Sequence, residues 1–148
     1  MKRLFVLMIL ASLFSLSSKA QDGYKTALGV RLGSSVPAIK NGVTFKHFFG
    51  SNAVEAILSF GDGTALCGLY EIHKPLGVAN LQWLIGAGGY VGLSSGTNNI
   101  GAAGIIGLDY KFAAIPLNVT LDWKPELNLI SKVGFEASGV GFSARFTF

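Results

Sequence analysis

Apolar and polar residues alternate over most of the chain in short segments, which clusters of Gly, Pro, Asn and Ser separate. A period of two residues is typical of β-strands, and no stripe with the 3.6-residue period of a helix persists. The pattern predicts eight strands, at residues 24–33, 43–49, 53–60, 65–73, 81–93, 101–112, 117–124 and 139–148. Most of these are close to the 9–11 residues that a tilted strand needs to cross a bilayer.

The two faces of the predicted strands differ in composition. Successive side chains point to opposite faces, and one face carries Leu, Val, Ile and aromatic residues while the other carries Gly, Ala, Ser, Thr and the charges. Small and charged residues suit the narrow interior of an eight-stranded barrel, and apolar residues suit a lipid-facing exterior. The sequence therefore predicts an all-β fold, an eight-stranded antiparallel up-and-down transmembrane β-barrel.

Charged side chains in such an interior need partners, because a buried unpaired charge is costly. The positions on the lumen face predict an ion-pair network that plugs the barrel, made of Lys25, Arg31, Lys46, Glu55, Glu71, His73, Asp109, Lys111, Asp122, Lys124 and Arg145. His73 has neither a second histidine nor a cysteine near it in the sequence, which favours a structural role over metal binding. No catalytic, cofactor or metal site is predicted.

Aromatic residues near the strand ends predict an interfacial girdle. Its members are Tyr24, Phe49, Trp83, Tyr110, Phe112 and Trp123. If the first strand starts on the periplasmic side, the connections 50–52, 74–80 and 113–116 are periplasmic turns. The connections 34–42, 94–100 and 125–138 are then longer external loops, and 61–64 is a short exception.

The first twenty residues have the three parts of a cleavable secretory signal: a basic start, an apolar run from Leu4 to Leu16, and small residues before Gln21. The expected organisation is a signal peptide at 1–20 and a barrel domain at 21–148. Cleavage removes Lys2, Arg3 and Lys19, which leaves nine basic against eight acidic residues and a net charge of about +1. That balance gives no reason to expect nucleic-acid binding, and the single cysteine, Cys67, excludes an intramolecular disulfide.

Several segments carry a resemblance to a known group: residues 42–48, 56–60, 68–76, 104–112, 115–125 and 141–148. Together they make the chain resemble the small outer-membrane β-barrel proteins of Bacteroidetes-type bacteria, over nearly the whole mature length. That family is largely uncharacterised, so the resemblance implies a location in the outer membrane, with its lipid as partner, more than an activity. The alternating aromatic ending looks like a carboxy-terminal insertion signal read by the barrel-assembly machinery, carried by Phe142, Phe146 and Phe148.

Three hypotheses for function follow, and no functional partner is identified. The first is a structural or interaction role with a plugged lumen. The second is a secreted soluble barrel that carries an apolar ligand, which requires Leu28, Leu58, Leu121 and Phe142 to face inward. The third is a narrow channel for ions or small solutes. No nucleophile motif marks an enzyme, and the glycine-rich stretch 86–92 does not match the GxGxxG nucleotide-binding pattern.

Overall fold

The computed structural model describes residues 24–34, 38–61, 63–94, 96–130 and 132–148. The predicted signal peptide at 1–20 lies outside these residues. No helix in the described part of the chain is long and apolar enough to cross a membrane.

The described residues form ten antiparallel strands. They are β1 (Thr26–Gly33), β2 (Asn41–Phe49), β3 (Asn52–Phe60), β4 (Thr64–Pro75), β5 (Leu81–Ser94), β6 (Thr97–Lys111), β7 (Leu117–Trp123), β8 (Glu126–Asn128), β9 (Gly134–Glu136) and β10 (Val140–Thr147).

The strands close into one barrel. Each of β1 to β6 pairs with the strand that follows it, and β10 pairs with both β7 and β1, which completes the ring. Closure leaves no free edge, so every wall strand has hydrogen-bonded neighbours on both sides. The wall therefore has eight positions, formed by β1 to β7 and β10.

The two short strands extend the wall rather than form a separate sheet. β8 continues β7 along β6 without a change of register, and the Gly104 N–H donates to the Pro125 carbonyl between them (2.9 Å). β9 continues β10 less regularly, because the two residues 124–125 face the three residues 137–139. This mismatch is a β-bulge, and the Trp123 indole N–H donates to the Ala137 carbonyl there (2.6 Å).

Two predicted external loops are wrong. The stretch 125–138 contains β8 and β9, and most of 94–100 belongs to β6, with a tight turn near Gly96 (φ 92°). The sequence pattern failed because Pro125 and the polar pair Asn98 and Asn99 resemble loop residues. Their backbones nevertheless continue the ladder, because a neighbouring strand is present to pair with them.

We call the end where β1 begins and β10 ends the base, and the opposite end the rim. At the base, the ring of Phe48 lies between Tyr24 (5.1 Å between centroids) and His73 (4.9 Å). At the rim, the segment 38–40 folds inward and buries Ile39 among lumen side chains. Side chains thus cover the lumen at both ends.

Candidate functional site: the charged lumen

Buried and exposed side chains alternate along the wall strands. In contrast to a soluble barrel, the large apolar side chains are mostly exposed and the charged ones are mostly buried. In β4, Cys67, Leu69 and Glu71 are buried, whereas the residues between them are exposed. Across the barrel the exposed parity carries large apolar residues, and the buried parity carries most of the charged ones. Charged residues are rarely fully buried unless they are paired, so the contacts inside the lumen decide what this site is.

Arg145, on β10, is the centre of the largest group of contacts. Its guanidinium pairs with Glu55 and donates to Thr120 Oγ1 (2.6 Å), Asn118 Oδ1 (3.2 Å) and Thr44 Oγ1 (3.0 Å). The planar guanidinium carries five N–H donors, so one residue can join β2, β3 and β7 from β10 across the lumen. Its side chain is fully buried.

Lys46 forms the second part of the network, toward the base. Its ammonium lies 2.8 Å from Glu71, 3.5 Å from Asp109 and 3.7 Å from Glu55. Glu71 also contacts His73 Nε2 at 2.9 Å. Because Glu55 meets both Lys46 and Arg145, the two parts form one connected network.

Asp109 is held mainly by neutral groups. It accepts hydrogen bonds from Asn118 Nδ2 (2.5 Å) and Thr120 Oγ1 (2.8 Å), both on β7. Asn118 and Thr120 also accept hydrogen bonds from Arg145, so these two residues of β7 hold both the Asp109 carboxylate and the Arg145 guanidinium in place.

Arg31 and Asp122 form a separate ion pair. The Arg31 guanidinium binds both carboxylate oxygens of Asp122, at 2.6 and 2.7 Å, which is the strong bidentate geometry. Gly141 makes room for it, since a Cβ at that position would overlap the guanidinium of Arg31. A side chain at position 141 would therefore displace the Arg31 guanidinium from its present place.

Glu126 is a lumen residue that the sequence interpretation missed. Its carboxylate accepts the backbone N–H groups of Ala38 (3.1 Å) and Ile39 (3.0 Å), and so ties the inward-folded segment 38–40 to the wall. The signal was present, because Glu126 continues the lumen parity of Asp122 and Lys124. Pro125 concealed it by suggesting that the strand had ended.

The structure corrects the prediction at three residues near the base. Lys25 is exposed and takes no part in the network. Lys111 donates to the carbonyls of Phe112 (2.5 Å) and Ile115 (3.0 Å) in the adjoining turn, so its ammonium points out of the lumen. Tyr24 packs on Phe48 across the base and does not join an outward girdle. Lys25 and Lys111 lie where the strands end and the wall no longer encloses them. Tyr24 precedes β1, so the outward direction that alternation assigned to it does not hold.

The other predicted lumen residues lie where the parity placed them. Arg31, Lys46, Glu55, Glu71, His73, Asp109, Asp122, Lys124 and Arg145 are all buried. Lys124 is buried like the others, but its ammonium has no hydrogen-bond partner in the described part of the chain.

One side of the lumen is apolar, which the sequence interpretation did not anticipate. Ile57, Cys67, Leu69, Leu84 and Ile105 belong to a buried cluster on β3 to β6, and Ile39 packs into it from the rim. These residues have lumen parity and could have been found in the sequence. They were missed because the prediction for the lumen considered only its ionisable residues.

The outward aromatic residues occupy two levels. Phe49, Trp83, Tyr110 and Phe112 lie near the base, and the rings of Tyr110 and Phe112 make an edge contact at 4.9 Å. Trp123 instead lies at the bulge, towards the rim. Phe142, Phe146 and Phe148 alternate on the outward face at the end of the chain, with Phe142 and Phe148 exposed. The roles of both sets, as interfacial girdle and insertion signal, stay predictions.

The described residues contain no group of three or more His, Cys, Asp or Glu side chains arranged to hold a metal ion. The acids of the lumen are instead engaged with cations, amides and hydroxyls. The arrangement fixes strands relative to one another.

Comparisons with known proteins support the fold. No protein-family model and no curated protein matches the sequence. The crystal structure of the N-terminal β-barrel domain of Pseudomonas aeruginosa OprF is similar, with a TM-score of 0.61 and 12% identity, over 84% of this chain and 98% of that chain. At this identity the similarity shows the fold alone. The predicted all-β, eight-stranded antiparallel barrel is confirmed.

Proposed function

We propose that this protein is an outer-membrane barrel with a structural or interaction role, whose lumen is closed to solutes by its own side chains. The observation that carries the proposal is the inverted distribution of residues: apolar side chains cover the outside, and a connected ion-pair network fills much of the inside.

The outer wall supports a lipid environment. Leaving apolar surface in water costs about 25 cal/mol for each Å², and contiguous apolar patches above a few hundred Å² are rare on soluble monomers. Here outward apolar residues occur on all eight wall strands. In hydrocarbon the same surface is favourable, and closure pairs the backbone groups that a bilayer cannot solvate.

The soluble-carrier hypothesis is contradicted. It requires Leu28, Leu58, Leu121 and Phe142 to line a ligand cavity, but their side chains point outward and are 38%, 39%, 54% and 45% exposed. The lumen instead holds Arg145, which is 1% exposed.

The ends of the barrel support a closed lumen. A solute entering from the base meets Phe48 between Tyr24 and His73, and one entering from the rim meets Ile39, whose backbone is held by Glu126. Between them, the groups around Lys46 and Arg145 bridge opposite walls. Breaking those contacts without replacement is costly, which opposes spontaneous opening.

The finer parts of the proposal rest on the sequence. They are export through a cleaved signal at 1–20, membership in the Bacteroidetes-type group, and recognition of Phe142, Phe146 and Phe148 by the assembly machinery. The outward, alternating placement of these phenylalanines, two on the last wall strand and Phe148 just after it, supports the third of these.

Folding into a bilayer tests the membrane location. We expect the urea-dissolved protein to fold into phospholipid vesicles and to migrate differently in gels before and after boiling. Trp123 fluorescence, measured in a Trp83→Phe background, should be quenched by lipids with brominated chains. Recovery of a folded, monomeric protein in water without detergent, with no quenching, would overturn the proposal.

A narrow channel is the second candidate, and one observation favours it. Lys124 Nζ, Glu55 Oε2 and His73 Nδ1 are buried polar atoms without hydrogen-bond partners in the described residues. Such atoms are usually satisfied by water, and a hydrated lumen is a first requirement for conduction. Single-channel recording in planar bilayers separates the two functions: silence supports the closed barrel, and stable openings support the channel.

A further inference from the structure

We infer that the base of the barrel is a binding surface for anionic phospholipid head groups, formed by Lys25, Lys74 and Lys111 together with the neighbouring aromatic rings. This inference rests on the proposed membrane location and adds a partner and an orientation to it. None of the three lysines belongs to the ion-pair network of the lumen.

The three lysines share one end of the molecule. Lys25 immediately precedes β1, Lys74 lies at the end of β4, and Lys111 is the last residue of β6. All three positions are at the base, because β1 begins there while β4 and β6 end there. Lys25 and Lys74 are exposed, and Lys111 is partly exposed.

No acidic side chain in the described ranges neutralises them. Five of the described acidic residues are buried in the lumen, and the sixth, Glu136, lies on β9 near the rim. The acids of the lumen are taken up by Arg31, Lys46 and Arg145 and by neutral donors. The described side chains at the base are therefore positively charged, whereas those at the rim include both Lys132 and Glu136.

Two of the lysines are held beside aromatic rings. Lys74 Nζ lies 5.9 Å from the centre of the Trp83 ring, and Lys111 Nζ lies 5.8 Å from that of Tyr24. Aromatic rings at the ends of membrane strands lie at the level of the head groups, and lysines beside them extend toward the phosphates. Because Trp83 faces outward, this geometry places the Lys74 ammonium at the depth of a lipid phosphate, and Lys111 lies beside Tyr24 at the same end of the barrel.

Lys111 is also oriented for this role by the turn that follows it. Its ammonium donates to the carbonyls of Phe112 and Ile115, which holds it outside the lumen. An ammonium has three N–H donors, so one remains for an anionic oxygen. A phosphodiester carries a single negative charge and several acceptor oxygens, so it can accept the hydrogen bond from that remaining donor.

Selective quenching of Trp83 tests the inference, because Trp83 lies beside Lys74. In a Trp123→Phe background, the protein is placed in phosphatidylcholine bilayers that contain equal fractions of either brominated phosphatidylglycerol or brominated phosphatidylcholine. We expect the glycerol lipid to quench more strongly. A lysine near an anionic surface contributes roughly 5-fold in association, so three give a preference on the order of 100-fold at most, falling as salt rises.

Charge-removing variants identify the source of that preference. The triple variant Lys25→Gln, Lys74→Gln, Lys111→Gln should quench equally with both lipids. The double variant Lys25→Gln, Lys74→Gln leaves the hydrogen bonds of Lys111 intact and should retain only a small preference. The matched control Lys132→Gln, an exposed lysine near the rim, should keep the full preference.

The two possible failures are distinguishable. If the Trp123→Phe protein with all three lysines intact shows equal quenching by the two lipids, while Trp123 in the Trp83→Phe protein is still quenched in the bilayer, the inference is overturned and the membrane location stands. If the Lys132→Gln control loses the preference as fully as the triple variant, the base is not the binding surface. Absence of quenching at both tryptophans overturns the membrane location itself.

Discussion

The replacement Arg145→Met tests the idea that the lumen network holds the barrel together. Methionine keeps an unbranched, flexible side chain, although a shorter one, and removes the charge and all five donors. Glu55 then loses its closest cation, and Thr44 and Thr120 each lose the donor that Arg145 supplied. Lys46 remains near Glu55, but at 3.7 Å it is no substitute, since it is engaged with Glu71 at 2.8 Å.

The expected loss is large. Removing one partner of a fully buried ion pair costs about 3–5 kcal/mol, because the remaining charge is left uncompensated. We therefore expect Arg145→Met to lower the free energy of unfolding by about 4 kcal/mol. With a urea dependence of roughly 2 kcal/mol per molar, the unfolding midpoint falls by about 2 M.

A double variant separates the charge effect from a packing effect. Adding Glu55→Gln to Arg145→Met removes the stranded carboxylate, and Lys46 keeps its contact with Glu71. Replacing both members of a buried pair is often nearly neutral. We expect the double variant to recover more than half of the lost stability, with a coupling energy of at least about 2 kcal/mol.

Urea titration in phospholipid vesicles measures both quantities, with tryptophan fluorescence and the unboiled gel band as independent probes. The exposed-site control Lys132→Gln should stay within about 0.5 kcal/mol of the wild type. The reasoning fails if Arg145→Met behaves like this control. It also fails if the costs of Arg145→Met and Glu55→Gln simply add, because the two side chains would then not be coupled.

Three further outcomes are expected from particular contacts. Gly141→Ala should cost about 1–3 kcal/mol in the same titration, because the new Cβ overlaps the Arg31 guanidinium and disturbs its ion pair. Gly68→Ala, where a Cβ meets no atom within 4 Å, is its control, and an equal cost for both would contradict the explanation. The buried thiol of Cys67 should react with a water-soluble maleimide only after unfolding, and rapid labelling of the folded protein would refute the closed lumen. Glu126→Gln should loosen the inward-folded segment 38–40 and accelerate that labelling several-fold without abolishing folding, and an unchanged rate would show that Glu126 does not hold the rim closed.

The inward position of most charges was predictable because it follows from a local rule. A strand turns each successive side chain to the opposite face, so the parity of Arg31, Asp109 and Arg145 was fixed as soon as their strands were identified. The same rule applied to Glu126 and to the apolar cluster around Leu69. Glu126 was missed because Pro125 suggested that the strand had ended. The apolar cluster was missed because only ionisable residues were considered for the lumen.

The ends of the strands were less predictable. Whether Lys25 or Lys111 enters the lumen depends on how far the neighbouring wall extends at that level, which is a property of strands distant in sequence. The extension of β6 to Thr97 has the same origin, since polar residues such as Asn98 and Asn99 become strand when Leu93 and Gly92 are available to pair with them.

By itself, the sequence determined which side chains share a face and that those faces have opposite polarity, because these depend only on alternation along one strand. Only the tertiary structure decided which residues meet. Glu55 and Arg145 are far apart in the chain, and their contact requires barrel closure through β1 and β10. It also decided that, among the described residues, the Lys124 ammonium has no hydrogen-bond partner while both terminal nitrogens of Arg31 bind Asp122. Parity gives a side chain its direction, but partners across a lumen are set by register and closure, which no single segment contains.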